Sequence, residues 1–545
     1  MYLDLEACFV FMKGSVTFKF IVFFTVIFGF FVHGYRFFNL NLTHDSLGIL
    51  FPKDASYFMS SIGRFLYHIF YLFFQIYPEP FFMGIISLFM IGLGCYCIVR
   101  VLALNKTICG LLLSSIMIVS VPFTLFSATY IGSLPVFSLS FFFSSLSVYL
   151  LIEFNKKNFV FAIILLALAM GGEDQSIIQF ATALLMLVLI KKILDGERDI
   201  FRNILLYSCY LFFSGLFYLV LYRLNLIILQ LPPATGYNSL EHIRIDRIFN
   251  NITNINFLKE AYLLPINFFI SKNEQSGGVL YPLSKVFKIS AILIYLFCLI
   301  YPITLIIKKK IEKRSFFQYF VVIVLSPFAV NSVYFISNGL MHDLMKLSYY
   351  YIFILGIMFL DRMCKNDWSL FNISGVKDFV HKFDRCCIIL IPFFLIILIS
   401  LFFAKNVYFV KELQFNYVTQ TVNRLLINIE NTPGYIPNET KVIFIGQLDR
   451  NNNCNSSLYL LPNQTGLRGA VSYDAPLVGY IFKYLGYKFN YIKNIDSTSL
   501  KTNLDNILGW HLSKEDVDFI MYSPIFPQRG YIFFINDILF VKLSN

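Results

Sequence analysis

Of the 545 residues, 57% are hydrophobic, 18% aromatic and only 14% charged, and the mean hydropathy is +0.68. Soluble domains carry about 25% charged residues, so a soluble globular protein is excluded. The net charge of +12 comes from Lys and Arg placed at the ends of apolar runs, not from one patch with interleaved aromatics, which excludes nucleic acid as a partner and reads as membrane topology.

Runs such as FIVFFTVIFGFFV, GLLLSSIMIVSV, AILIYLFCLIYPITLII and CCIILIPFFLIILISLFF approach the roughly 20 residues that cross a bilayer as a helix. The ten-residue alternation of a transmembrane barrel is not evident. The chain therefore reads as a polytopic all-α membrane protein of about eleven helices, oriented by their flanking cations. Lys13 and Lys19 precede the first span, which has no cleavage pattern after it and is retained as an anchor. Its far end opens into the external stretch NLTHDSLGILFPKDASYFMSSIGR, Asn41 to Arg64.

Span two, near Phe81 to Val99, returns to Arg100 and Lys106. Spans three and four, near Ile108 to Phe126 and Leu134 to Ile152, are joined outside by SATYIGS and end at Lys156 and Lys157. Spans five and six, near Phe159 to Met170 and Ile177 to Ile190, are short and flank GGEDQS, which faces outward. Such interrupted helices are tolerated at membrane depth where they line a polar cavity or are buried in protein. Span seven, near Asn203 to Leu221, leads to a long outer loop from Arg223 to Lys288. Span eight follows, then the basic run Lys308, Lys309, Lys310, Lys313 and Arg314. Spans nine and ten enclose the outward SNGLMHDLMK, and span eleven, near Cys386 to Phe403, delivers the C-terminus outside.

These spans make residues 1–404 a multi-span catalytic domain and leave residues 405–545 as an extracytoplasmic α/β domain. In it, an amphipathic helix ends at Thr432, Pro433 and Gly434. KVIFIG and DFIMY read as strands, YIFFI and ILFVKL as a hairpin, and Pro476 to Leu485 and Leu500 to Trp510 as helices. The ten cysteines show neither disulfide nor zinc spacing, and no G-x-G-x-x-G or P-loop pattern supports nucleotide binding.

Charges beside a membrane are costly without a task, and three outer clusters stand out. The first holds His44, Asp45, Lys53, Asp54 and Arg64. Asp45 suits a general base, with Lys53 and Arg64 placed to hold a phosphate, since Arg donates two bonds at once from its planar fork. The bland alternative is that Asp45 caps a helix starting at Ser46 and Arg64 snorkels to headgroups. The second is Glu173 with Asp174, adjacent carboxylates able to orient hydroxyls or bind a divalent cation, or simply to remain solvated in a turn. The third is His342 with Asp343, a polar contact for substrate or a surface pair, with no nucleophile beside it to make a triad.

THDSLG after the first span, SIGRFLYHIF shortly after it, GGEDQS between two short spans and the external segment opening near VIFIG resemble the polytopic serotype-converting glucosyltransferases that modify O-antigen in enteric bacteria. The resemblance implies a GT-C-like enzyme of the bacterial inner membrane, N-terminus cytoplasmic and C-terminal domain periplasmic. Its donor would be undecaprenyl-phosphate glucose and its acceptor O-antigen polysaccharide. The implied functional partners are a small flippase and a polyprenyl-phosphate glucosyltransferase. Asp45 matches the acidic position of the first external loop in that group, but His44 stands where a second acid is common, so no cofactor and a metal-independent inversion are expected. A lipid-linked oligosaccharide flippase, which should show internal repeats, and an O-antigen polymerase, given Arg244 and Arg247 in the long loop, are the alternatives.

Overall fold

A computed structural model of the chain describes residues 16–39, 52–74, 79–153, 156–197, 199–234, 250–251, 253–270, 285–307, 312–337, 339, 341–364, 376–437, 439–445, 490–495, 513–525, 528–535 and 537–543. The chain divides into two units at Asn406 and Val407, and each is described by itself.

In the first unit, α1 (Val16–Phe38) packs on α4 (Pro80–Leu102). Small residues let the two approach: a Cβ on Gly29 would meet Leu88, and one on Gly92 would meet Val22. Between them lie two short helices, α2 (Pro52–Ser61) and α3 (Leu66–Phe74). Glu79 starts α4 by accepting from the Phe81 and Phe82 N–H groups, with Pro80 in the first turn, where its missing donor costs nothing.

The third expected span is broken. α5 (Thr107–Ile118) and α6 (Val121–Thr129) meet at a 45° bend, where Ser120 caps α6 through the Phe123 N–H. The break, and the far end of α6, expose carbonyls inside an apolar region, and α1 supplies a donor at each. The His33 ring nitrogen Nε2 lies 3.0 Å from Ile118 O, and Arg36 Nε donates to Ser127 O at 3.1 Å. Both side chains are fully buried. Polar groups are expensive at that depth unless bonded in this way.

α7 (Leu134–Ile152) is followed by α8 (Lys156–Leu194), whose helical run is interrupted at Glu173 (φ −152°, ψ 82°). The contacts make α8 a hairpin. Ser147 Oγ donates to Ala162 O and Gly172 abuts Ser140 and Val136, so the first half runs antiparallel to α7. Phe180 then lies with its ring centre 5.0 Å from that of Phe141, whereas a straight helix would have carried it about 12 Å past Gly172. The far end closes the argument. Arg362 donates to Leu194 O and Asp361 accepts from the Asn105 and Lys106 N–H groups just beyond α4. Arg100, in the last turn of α4, hydrogen-bonds Tyr149 near the end of α7. Both ends of α8 thus lie at one end of the unit, and Glu173 at the other.

α9 (Ile200–Leu229), α10 (Ile255–Ile270), α11 (Lys285–Ile307), α12 (Lys313–Val330) and α13 (Ser332–Ile336) follow, then a 3-10 helix (Asp343–Tyr350) running into α14 (Tyr351–Cys364) and α15 (Val376–Glu430). Pro265, Pro302 and Pro327 sit inside α10, α11 and α12, as membrane helices allow. Among the described residues nine helices are long and apolar enough to cross a membrane, or ten if the bent pair is one span. The remaining expected span, Phe159 to Met170, is the first half of the α8 hairpin.

The second unit contains β1 (Lys441–Ile445), β2 (Asn490–Ile495), α16 (Lys514–Tyr522), β3 (Ile532–Ile535) and β4 (Ile538–Lys542). The sheet order is β2-β1-β4-β3, with β1 parallel to both neighbours and β3 antiparallel to β4. The expected hairpin forms, turning at Asp537 (φ 63°). Ile443, Ile445, Ile520, Ile535, Ile538 and Phe540 form its core. α15 ends at Glu430 as its Thr-Pro-Gly signal predicts, with Gly434 at φ 87°. DFIMY, expected as a strand, is instead the end of α16. Ser513 and Asp516 form a capping box that starts a helix, and only Ile520 of the five is buried, so period-2 burial is absent. The helices expected at 476–485 and 500–510 lie outside the described residues.

Candidate active site at the α8 hairpin tip

The turn between α2 and α3 needs glycine. Gly63 has φ +96°, and a Cβ there would lie 2.4 Å from the Tyr218 hydroxyl. Two tyrosines of α9 hold the turn: Tyr218 donates to Gly63 O at 3.3 Å and Tyr222 to Ser61 O at 2.7 Å. The next residues dock on the hairpin. A Cβ on Gly171 would meet the Phe65 ring at 2.4 Å, and one on Gly172 would meet Ser140 Oγ, Val136 and Leu66. The two glycines of GGEDQS are therefore the bed on which Phe65 and Leu66 rest.

That docking brings Arg64 to Glu173. Arg64 Nη2 lies 2.9 Å from Glu173 Oε1, with side-chain exposures of 19% and 3%. The ion pair joins motifs 109 residues apart. A carboxylate buried to this degree is retained only when paired, whereas the guanidinium keeps an edge toward solvent. Tyr67, three residues beyond Arg64 at the start of α3, completes the cluster. Burial pushes its hydroxyl pKa up and the Glu173 charge adds to the rise, while Arg64 and a hydrogen bond with Ser133 oppose it. The phenol thus stays a neutral donor. His68 braces the same turn, its Nδ1 3.1 Å from Ser56 Oγ.

Other expected site residues fall elsewhere. Lys53 and Asp54 are exposed in the first turn of α2, Lys53 lying over the Tyr57 ring at 5.7 Å. His44, Asp45 and the side chain of Asp174 lie outside the described residues. His342 precedes the 3-10 helix in extended conformation. Asp343 is buried and paired with Lys346, whose ammonium also lies 5.2 Å from the Phe268 ring centre. This segment touches the second half of the hairpin, where Gln179 Nε2 donates to Met341 Sδ at 3.9 Å.

Tyr67, Ser133, Tyr218, Tyr222 and Lys346 are the members that sequence reasoning passes over. Tyr67 follows Arg64 by three residues across the turn into α3, and its N–H donates to Arg64 O at 3.2 Å; the others carry no local signal. Among the described residues no group of three or more His, Cys, Asp or Glu side chains converges to hold a metal. Chemically, the pair combines an anion-binding fork with a carboxylate able to accept a proton.

A family model described as Glucosyl transferase GtrII matches residues 34–360, a span that includes Arg64, Tyr67, Ser133, Glu173 and Asp343. No curated protein and no solved structure matches the chain.

Proposed function

The chain belongs to the GtrII glucosyl transferase family, and from that premise we propose that it transfers glucose from undecaprenyl-phosphate glucose to O-antigen polysaccharide on the periplasmic face of the bacterial inner membrane. The observation that carries this reading is the Arg64–Glu173 pair at the hairpin tip. Transfer from a lipid phosphate needs a cation to hold the departing phosphate and a carboxylate to take the acceptor's hydroxyl proton. Arg64 is suited to the first role. Glu173, or Asp45 in the opening loop, is suited to the second.

Charge supports this sidedness. The end of the first unit that holds Lys106, Lys191, Lys192 and Arg362 is the basic one, and cations gather on the cytoplasmic side. The Arg64–Glu173 pair lies at the opposite end, where a periplasmic acceptor would meet it. A separate enzyme must then load glucose onto the lipid in the cytoplasm and a flippase must present it outside. The second unit's sheet belongs, in this reading, to an external α/β domain. No metal is assigned to the reaction, because the cation needed at the phosphate is a side chain.

The test is transfer of labelled glucose from synthetic polyprenyl-phosphate glucose to lipid-linked O-antigen in membranes carrying the wild type, Arg64→Ala, Glu173→Gln or Asp45→Asn at matched expression. The expected outcome is transfer by the wild type and a fall of at least about a hundredfold when the base is removed. A wild type that transfers nothing but carries labelled lipid across vesicles would replace the enzyme with a transporter.

A further inference from the structure

Resting on that reading, we propose that Tyr218 and Tyr222 of α9 are positioning residues for the lipid donor: through the backbone of the 61–64 turn they fix the Arg64 guanidinium that receives the donor's phosphate. The inward stripe of α9 beyond its first turns is Tyr207, Tyr210, Ser214, Tyr218, Tyr222 and Leu226, spaced by three or four residues as one face of a helix requires. Leucine would fill such a stripe. A buried phenol adds a hydroxyl that needs a partner, and three of these tyrosines find one on another element. Tyr210 meets Ser147 of α7, while Tyr218 donates to Gly63 O at 3.3 Å and Tyr222 to Ser61 O at 2.7 Å. The two bonds toward the C-terminal end of α9 therefore both go to the turn that carries Arg64.

The chain leaving α9 adds a third bond. Gln230 ends the helix in the left-handed conformation (φ 53°), and the Ala234 N–H then donates to Ser61 O at 3.0 Å. The Tyr218 ring also stacks on Phe65, with 6.1 Å between centres and 27° between planes. Ser61, Gly63 and Phe65 are thus all held by α9 or by the residues that follow it. Arg64, among them, pairs with Glu173 and keeps 19% of its side chain exposed. An arginine meets phosphate through a planar fork of donors, and ordering a long side chain at the moment of binding costs affinity. Where the turn loosens, only the molecules that still hold Arg64 in place bind donor, and the apparent Kd rises by the inverse of that fraction. α9 acts on the donor through Arg64.

The test combines binding of a short-chain polyprenyl phosphate, which carries no sugar and cannot turn over, with transfer kinetics of the full-length protein in detergent. Removing both hydroxyls in Tyr218→Phe/Tyr222→Phe should weaken polyprenyl phosphate binding roughly tenfold, the scale of one to two neutral hydrogen bonds. The donor KM should rise to match, with the acceptor KM unchanged. Arg64→Ala should weaken the binding at least as much, and in that background the tyrosine changes should make no further difference. Gly63→Ala is the steric counterpart. Its Cβ would lie 2.4 Å from the Tyr218 hydroxyl oxygen but 3.6 Å from the ring carbon that bears it. It should therefore weaken binding more in the wild type than in Tyr218→Phe, where the backbone strain of φ +96° remains without the clash. A purely structural role has another signature: fewer folded molecules lower kcat per total protein and leave Kd and both KM values where they were. That result, absence of binding by the wild type, or equal effects of the tyrosine changes with and without Arg64 would overturn the proposal. If binding shifts as stated but the wild type never transfers glucose, the positioning role stands and the assigned reaction fails.

Discussion

Gly171 and Phe65 approach so closely that a methyl group on the glycine would lie 2.4 Å from the ring. A core ring does not retreat without moving its neighbours, because protein interiors are close-packed. Gly171→Ala should therefore shift Phe65 and with it the adjacent Arg64, opening the pair to Glu173. We expect a loss of about a hundredfold in kcat/KM, the cost of a displacement near 1 Å. Phe65→Leu placed on the same chain should restore part of it. A double-mutant cycle on transfer rates measures the coupling; additive losses would mean that the contact does not position Arg64.

Removing either partner of the Arg64–Glu173 pair should not cost the same. Arg64→Ala removes a cation 2.9 Å from a carboxylate of 3% exposure, whereas Glu173→Gln removes an anion from a guanidinium of 19% exposure. Breaking buried pairs costs about 3–5 kcal/mol; with Arg64 at the edge, about 2–3 kcal/mol is expected for Arg64→Ala, and less for Glu173→Gln. Thermal unfolding of the purified protein in detergent gives the order. Equal losses, or a larger loss for Glu173→Gln, would contradict it.

Each half of that pair is legible in the sequence, because Arg64 and Glu173 are charges set against apolar runs and such charges are costly without a task. Their meeting is not legible. It depends on the return of α8 at Glu173, which the two adjacent glycines announce, and on Phe65 and Leu66 fitting those glycines, which no periodicity encodes. The transmembrane pattern is readable because hydrocarbon imposes length and composition on every helix. The break between α5 and α6 is harder to read, since Ser120 and Pro122 are a small signal within a continuous apolar run. The misreading of DFIMY has a local cause: five residues with two aromatics and an isoleucine suggest a strand, but the capping box upstream and the need to bury Ile520 alone favour a helix.

His68 should make the first unit sensitive to mild acid. Burial lowers its pKa below 6.5, so the fold prefers the neutral ring, which meets Ser56 and lies beside the rings of Tyr57 and Tyr71. Above pH 6.5 the ring is neutral folded or unfolded and its contribution is intact. As pH falls below 6.5 the unfolded chain takes up the proton first, and stability declines until the folded-state pKa is passed. Melting temperatures of the wild type minus those of His68→Gln, compared between pH 7.5 and 5, should fall with acid. A flat difference would show that His68 does not set this dependence.

In the second unit, Lys542 on β4 is a buried ammonium that donates to Met521 O at 2.6 Å and Ser523 O at 2.9 Å. These carbonyls close the C-terminal end of α16, where the helix dipole is negative and a cation is favoured. Burial lowers the lysine pKa, so the fold bears a desolvation cost while the group is charged and recovers it as pH rises toward 10.5. The hydrogen bonds work the other way, because an uncapped helix end over the Ile520 core would leave two carbonyls unsatisfied. Lys542→Met keeps the stem and removes the donors. The expected loss is about 1–3 kcal/mol, felt first as faster proteolysis within residues 514–522, with glucose transfer by the intact membrane protein measured alongside. Unchanged protection of that segment would mean that water caps α16 as well as the lysine does.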